Sequence, residues 1–287
     1  MNTAQISEPL TGDKLYQKRA RLTLPLLVRQ AQAEKPITYE NLAAELGMPN
    51  PRNLNYVLGS IGKALINLSE SWDERVPPLQ CLVFNKGTGL PGEGISWFIS
   101  NLADYKKLPK RQRLQVINNE LIQIYGYSKW NKVLREFGLK PTKQDFSNFN
   151  NKAGGDRGGV GESKAHQKLK KYVSTHPQVI GLPAHISPGK MEHRLPSDDK
   201  VDVFFENKKE HIGIEVKSVF SDSADITRGL YQCIKYQAVL EARQAAMGKP
   251  KNVHTMLALG GQLPPELIAL KSVLGVEVVE NIKTNDG

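Results

Sequence analysis

Cysteine is nearly absent from this chain: two in 287 residues, Cys81 and Cys233, far apart and outside any CxxC spacing. That excludes a disulfide framework and argues against a structural zinc site. No apolar run approaches the length of a membrane span, and the first thirty residues lack a signal-peptide pattern, so the sequence predicts a cytoplasmic protein with no membrane association. Internal repeats and low-complexity tracts are missing too. The histidines show no ligand spacing. GGDRGGVGESK lacks the final Gly-Lys-Ser/Thr order of a phosphate loop and follows no strand, so its glycines read as linker.

What is present is ordinary for a folded protein, 39% hydrophobic and 24% charged, with an excess of positive charge. The net charge of +10 is unevenly spread. Residues 1–160 hold 22 Lys and Arg against 14 Asp and Glu, whereas residues 161–287 hold 17 against 15. Ten basic and three acidic residues fall in 101–143 alone. A basic patch gains affinity for a polyanion by releasing counterions from its phosphates, so this asymmetry fits a nucleic-acid partner as well as it fits a solvated helical face.

Along the chain, a frayed polar tail leads into YQKRARLTLPLLVRQAQAE, a helical pattern that Pro25 should kink or break. ITYENLAAELG and RNLNYVLGSIGKALINLSESW read as two helices joined by a PNP turn, with Gly47 stopping the first. CLVFNKGTGLPGEGISWFI then reads as a β-hairpin with a glycine-rich tip. Together these outline a winged helix over residues 1–100, followed by a basic helical connector over 101–140. Residues 141–160 are rich in Gly and Asn and read as a linker. Residues 161–287 alternate in type, α-β-β-α-β-α-β. That order predicts an α/β fold with a mixed sheet flanked by helices.

Asp202 lies in the strand-like run VDVFF and Glu215 in IGIEVKSVF, with the turn ENKKE between them. A hairpin of that kind brings the two carboxylates to neighbouring strands, and alternation puts Glu215 and Lys217 on one face with Val216 on the other. Charged groups inside apolar strands cost desolvation energy unless something pairs with them, and a divalent cation with a preference for oxygen suits two carboxylates. The flanking Ile214, Val216 and Phe220 are expected to make this a buried strand.

These residues resemble the PD-(D/E)xK nuclease superfamily, in which an acidic residue on one strand is followed by Glu-x-Lys on the next. Asp202 with Glu215-Val216-Lys217 matches that signature, although SDDKVD leaves Asp198 and Asp199 as rivals to Asp202. Glu162, opening the preceding helix, stands where the family often carries a further acidic residue. Gln232 and Tyr236 in QCIKY match the Gln-x-x-x-Tyr motif of RecB-like members, and Arg228 shares their helical face. His166, one turn after Glu162, reads as a solvated helix residue. The resemblance implies a restriction-endonuclease-like fold in 161–287 and hydrolysis of phosphodiester bonds. Asp202 and Glu215 would hold Mg2+ (or Mn2+), directly or with the Val216 carbonyl, and Glu162 would tighten the metal. Lys217 would orient water or meet the charge developing on phosphorus, while Gln232, Tyr236 and Arg228 support the site.

The N-terminal segment faintly resembles the winged helix of alkyltransferase-like DNA repair proteins, through its Thr-Tyr before a helix, its Pro-Asn turn and its glycine-rich end. It lacks their Pro-Cys-His-Arg string, so Cys81 reads as a core thiol and alkyl transfer is not expected. As a winged helix it would offer Arg52, Asn53, Asn55, Tyr56 and Lys63 to DNA from its second helix and Lys86 from the wing. Lys106, Lys107, Lys110 and Arg111 would add phosphate contacts. The expected protein is thus a DNA endonuclease. A catalytically silent DNA-binding or assembly protein, an RNA substrate and a homodimer are left open.

Overall fold

The computed structural model describes residues 6–99, 105–142, 146, 163–248 and 250–284. It is a mixed α/β structure in two compact units, Met1–Gln144 and Asp145–Gly287.

In the first unit, helix α1 (Leu15–Gln32) continues through Pro25 without a break. Proline removes one backbone hydrogen bond at a cost of about 3 kcal/mol. Here Ala20, Leu24, Leu27, Val28 and Ala31 are all buried on either side of it, and that packing outweighs the lost bond. Strand β1 (Ile37–Thr38) leads into α2 (Tyr39–Glu45), whose first turn is capped by Thr38 Oγ1 accepting from the Asn41 N–H at 3.1 Å. Gly47, with φ +61°, turns the chain out of it. Helix α3 (Leu54–Trp72) follows and packs on α1. Arg29 of α1 and Glu45 of α2 are both buried and joined by two hydrogen bonds of 2.7 Å, so each charge has its partner.

The expected wing hairpin is not there. Strand β2 (Val83–Phe84) instead pairs in parallel with β1, Ile37 opposite Val83 and Thr38 opposite Phe84. The glycine-rich segment closes on itself: the Asn85 N–H donates to Leu90 O, the Gly89 N–H to Asn85 O and the Gly87 N–H to Asn85 Oδ1. Those groups are then no longer free for a second strand. A 3-10 turn, Glu93–Trp97, comes next. Helices α4 (Lys110–Gly126) and α5 (Trp130–Glu136) contribute Ile117, Ile124, Trp130, Val133 and Leu134 to the same core as α1 and α3.

The second unit is built on one sheet. After α6 (Lys164–Thr175) come β3 (Lys190–Arg194), β4 (Lys200–Glu206) and β5 (Glu210–Lys217). Next are the long helix α7 (Ser223–Ala245), β6 (Asn252–Leu259), α8 (Ile268–Leu274) and β7 (Glu277–Val279). The five strands lie in sequence order; β3–β4 and β4–β5 are antiparallel, β5–β6 and β6–β7 parallel. Strand β3 carries no sequence signal, since KMEHR has no apolar alternation; it is a mostly exposed edge strand held by backbone pairing. Alternation along β5 separates two cores. Ile212, Ile214 and Val216 pack with Leu169 and Val173 of α6. A second apolar cluster joins Ile226, Leu230 and Cys233 of α7 to Leu257, Leu259 and Leu270.

Candidate active site

The β4–β5 pairing runs from Glu206↔His211 to Val203↔Ile214. At the next residue the carboxylate of Asp202 takes over: its Oδ2 accepts the Val216 N–H at 2.8 Å. On the other side, Glu192 interrupts β3 between the Met191↔Val203 and His193↔Val201 pairs with a left-handed φ of 53°. Such a backbone is strained for a residue other than glycine, and strain of this kind gathers at functional sites.

Helix α6 supplies the basic side chains around Asp202. His166 Nε2 lies 3.5 Å from Asp202 Oδ2 and Lys170 Nζ 3.8 Å from Oδ1, while Lys170 also bonds Glu192. Burial alone would raise the Asp202 carboxyl. The hydrogen bonds from His166 and the Val216 N–H, with the charges of His166 and Lys170, outweigh it and hold the carboxyl below its ordinary value. Glu215 goes the other way. Only 3% exposed, it is pushed up to about 7, first by burial and then by Asp202, and the nearby Lys217 offsets this only in part. Lys217 Nζ donates to Glu215 Oε1 at 2.7 Å. Its own burial disfavours the charge, but Glu215 and Asp202 overcome that and keep it an ammonium. Two neighbouring carboxyls thus have their proton affinities driven apart, a pattern that marks acid–base and cation sites.

The long helix α7 closes over this group. Gly229 is where it comes nearest: a Cβ there would lie 2.8 Å from Leu257 Cδ1, 3.1 Å from Lys217 Cε and 3.5 Å from Glu215 Cγ. Three residues further on, Gln232 Nε2 donates to Tyr236 Oη at 3.4 Å, and Tyr236 Oη donates to Lys200 O at 3.0 Å. Burial, then Glu215 and Asp202, push the Tyr236 phenol far up, so it stays a neutral donor. Gln232 Oε1 is buried without a hydrogen-bond partner among the described residues. Arg228 is bonded to Asp225, one turn before it on α7.

Asp202, Glu215, Lys217, Gln232 and Tyr236 are therefore in one neighbourhood, and Val216 contributes its N–H. The rivals are elsewhere: Asp198 is exposed and paired with Arg194 at 2.7 Å, and Asp199 with Lys235 at 2.7 Å. Glu162 lies outside the described residues. Phe220 corrects the sequence reading. The strand ends at Lys217, and Phe220, on the turn beyond it, is 81% exposed. Sequence reasoning undervalued His166 and missed Lys170 and Glu192. The four-residue spacing of His166 and Lys170, which puts them on one helical face, was the available signal. The carboxylates of Asp202 and Glu215 are the oxygens a hard cation would take. Among the described residues no group of three or more His, Cys, Asp or Glu is spaced to hold a metal ion.

In the first unit, Arg52, Asn53, Asn55 and Tyr56 are exposed around the start of α3, and Lys63 is half-buried. Lys86, Lys106, Lys107, Lys110 and Arg111 are exposed as well, Lys106 pairing with Glu93 at 3.1 Å. Cys81 is buried and its thiol is pushed up by that burial, as suits a core residue. No described helix is long and apolar enough to cross a membrane. Compared with protein-family models, with curated proteins and with solved structures, the chain gives no match.

Proposed function

We propose that this chain is a metal-dependent endonuclease that hydrolyses phosphodiester bonds of DNA in its second unit. The observation that carries the proposal is the pair Asp202 and Glu215, on neighbouring strands with their proton affinities driven apart and with the Lys217 ammonium bound to Glu215. That set fits Mg2+ or Mn2+: a buried carboxyl raised by its own desolvation and by a second carboxylate gains from a cation that neutralises both. Asp202 and Glu215 would hold the cation, with Glu162 and the Val216 carbonyl as further candidates. Bound there, the metal would supply Lewis-acid stabilisation of the phosphoryl oxygens. Lys217 would meet the negative charge that grows on phosphorus, from a site where burial makes that charge interaction strong. His166 and Lys170 would orient Asp202, and the Gln232–Tyr236 pair would fix α7 against β4. In this reading the second unit is restriction-endonuclease-like and serves in restriction or defence.

The first unit would dock DNA through α3 and the exposed basic residues up to Arg111. With no hairpin in the glycine-rich segment, that role rests on the helix-turn-helix of α2 and α3 and on charge, not on a wing.

A second reading, a catalytically silent DNA-binding or assembly protein, is favoured by one contact: Lys217 already pairs with Glu215, so the site is partly neutralised without a metal. Incubation of the purified chain with supercoiled, linear and single-stranded DNA and with RNA, in Mg2+, Mn2+ or EDTA, separates the readings. Cleavage of DNA that EDTA stops is the expected result. Cleavage of RNA alone would move the substrate, and DNA binding without cleavage in any metal would leave the silent reading standing.

A further inference from the structure

Strand β5 ends at Lys217, and only four residues separate it from Asp222, the N-cap of α7. Those four form a pinned turn. The Phe220 N–H donates to Ser218 Oγ at 3.3 Å, the Ser221 N–H to Ser218 O at 3.1 Å, and the Gly260 N–H to Lys217 O at 2.9 Å. Gly260 backs the turn so closely that a Cβ there would meet the Val219 nitrogen at 3.0 Å. The turn presents two apolar side chains to solvent, Val219 at 61% and Phe220 at 81% exposure. Phe220 is the most exposed large apolar side chain among the described residues.

A rigid turn that spends its ordering on holding a phenyl ring in water gains nothing for folding. Two side chains are also far too small a patch for a stable dimer, which needs on the order of 800 Å² from each partner. The position is more specific. Phe220 is three residues past Lys217, at the C-terminal end of the strand that carries Glu215 and Lys217. Three residues of chain reach at most about 11 Å, the scale of neighbouring nucleotides. An aromatic face at that range offers a base a stacking surface and no hydrogen bond, so it would be indifferent to sequence. In a duplex both faces of a base are already stacked; a single strand leaves them open.

We propose that Phe220 is a substrate-positioning residue that stacks on an unpaired base of single-stranded DNA, beside the phosphate that would meet Lys217 and a cation at Asp202 and Glu215. This rests on the nuclease reading for its location, and the test separates the two.

The full chain is titrated in EDTA and again in Ca2+ with a single-stranded DNA oligonucleotide carrying 2-aminopurine, whose fluorescence is quenched by stacking. Cleavage of the same oligonucleotide is followed in Mg2+. The wild type should quench. Phe220→Ala should lose the quench and bind about 5- to 150-fold more weakly, the range found when a stacking aromatic is removed. In Mg2+ the loss should fall on KM more than on kcat. Phe220→Trp should restore quench and affinity, and Phe220→Leu, of similar bulk but without a ring, should not. Cleavage by the wild type with a quench that Phe220→Ala leaves unchanged overturns the inference and spares the nuclease reading. A Phe220-dependent quench without cleavage does the reverse. Quenching with RNA and not with DNA overturns the assignment of substrate. Self-association that Phe220→Ala abolishes, with no quench in the wild type, gives the ring to a contact between copies and overturns it as well.

Discussion

Glu215→Gln is the sharpest probe of the buried pair. The Glu215 carboxyl, ordinarily near 4.5, is pushed up to about 7 in the folded protein by burial and by Asp202. Between those values the native chain keeps a proton that the unfolded chain releases. Stability from this group is therefore present at low pH and is lost as pH rises through the window from 4.5 to 7. At 1.36 kcal/mol per pH unit, the loss between pH 5 and 8 is about 2–3 kcal/mol. Glutamine cannot titrate, so the same span in Glu215→Gln should lack that slope, whatever baseline it starts from once Lys217 has no charged partner. Urea unfolding in EDTA at several pH values measures the difference; groups that do not interact with Glu215 cancel, and Lys217 can only widen it, because losing Glu215 lowers its proton affinity and makes the variant gain stability as pH rises. The two units need separate probes. All three tryptophans, Trp72, Trp97 and Trp130, belong to the first unit, so their fluorescence reports on that unit directly. Hydrogen exchange of the β4 and β5 amides reports the second. A wild type whose second unit shows the same pH slope as Glu215→Gln, within about 1 kcal/mol, would refute the account of Glu215 as a buried, raised carboxyl.

Lys217→Ala leaves both carboxylates in place, so a Mg2+-induced rise in melting temperature should survive while cleavage falls by roughly two orders of magnitude or more. Wild-type cleavage by that variant would remove Lys217 from the mechanism. Gly229→Ala puts a methyl group within 2.8 Å of Leu257 Cδ1 and 3.1 Å of Lys217 Cε; overpacking of that kind costs about 1–3 kcal/mol and should lower the melting temperature of the second unit. A raised melting temperature, the gain of up to about 1 kcal/mol that alanine brings to an uncrowded helix position, would mean that α7 is not seated as described. Reversing Lys106, Lys107, Lys110 and Arg111 together should weaken DNA binding and flatten its dependence on salt, since fewer counterions are released. A salt slope equal to that of the wild type would show that this basic face is merely solvated.

Local chemistry made part of this protein legible from its residues. Periodicity and caps located α2, α3, α6 and α7, because a helix is specified by spacing and by its ends. The apolar run around Asp202, against the polar turn holding Asp198 and Asp199, marks it as the less exposed of the three carboxylates, since desolvation follows from neighbours in the chain. Non-local pairing was a different matter. Pro25 sits inside an intact helix because buried residues on both sides hold it, and β1 pairs with a strand more than forty residues away in place of a wing. Strand β3 carries no pattern of its own and exists because β4 offers it an edge. The Lys170–Glu192–Asp202 cluster joins three elements, and the exposure of Phe220 depends on where β5 stops and how Gly260 backs the turn. Spacing along one chain dictates which residues can share an element; which elements meet, and so which charges end up buried together, is decided by packing among residues far apart in sequence.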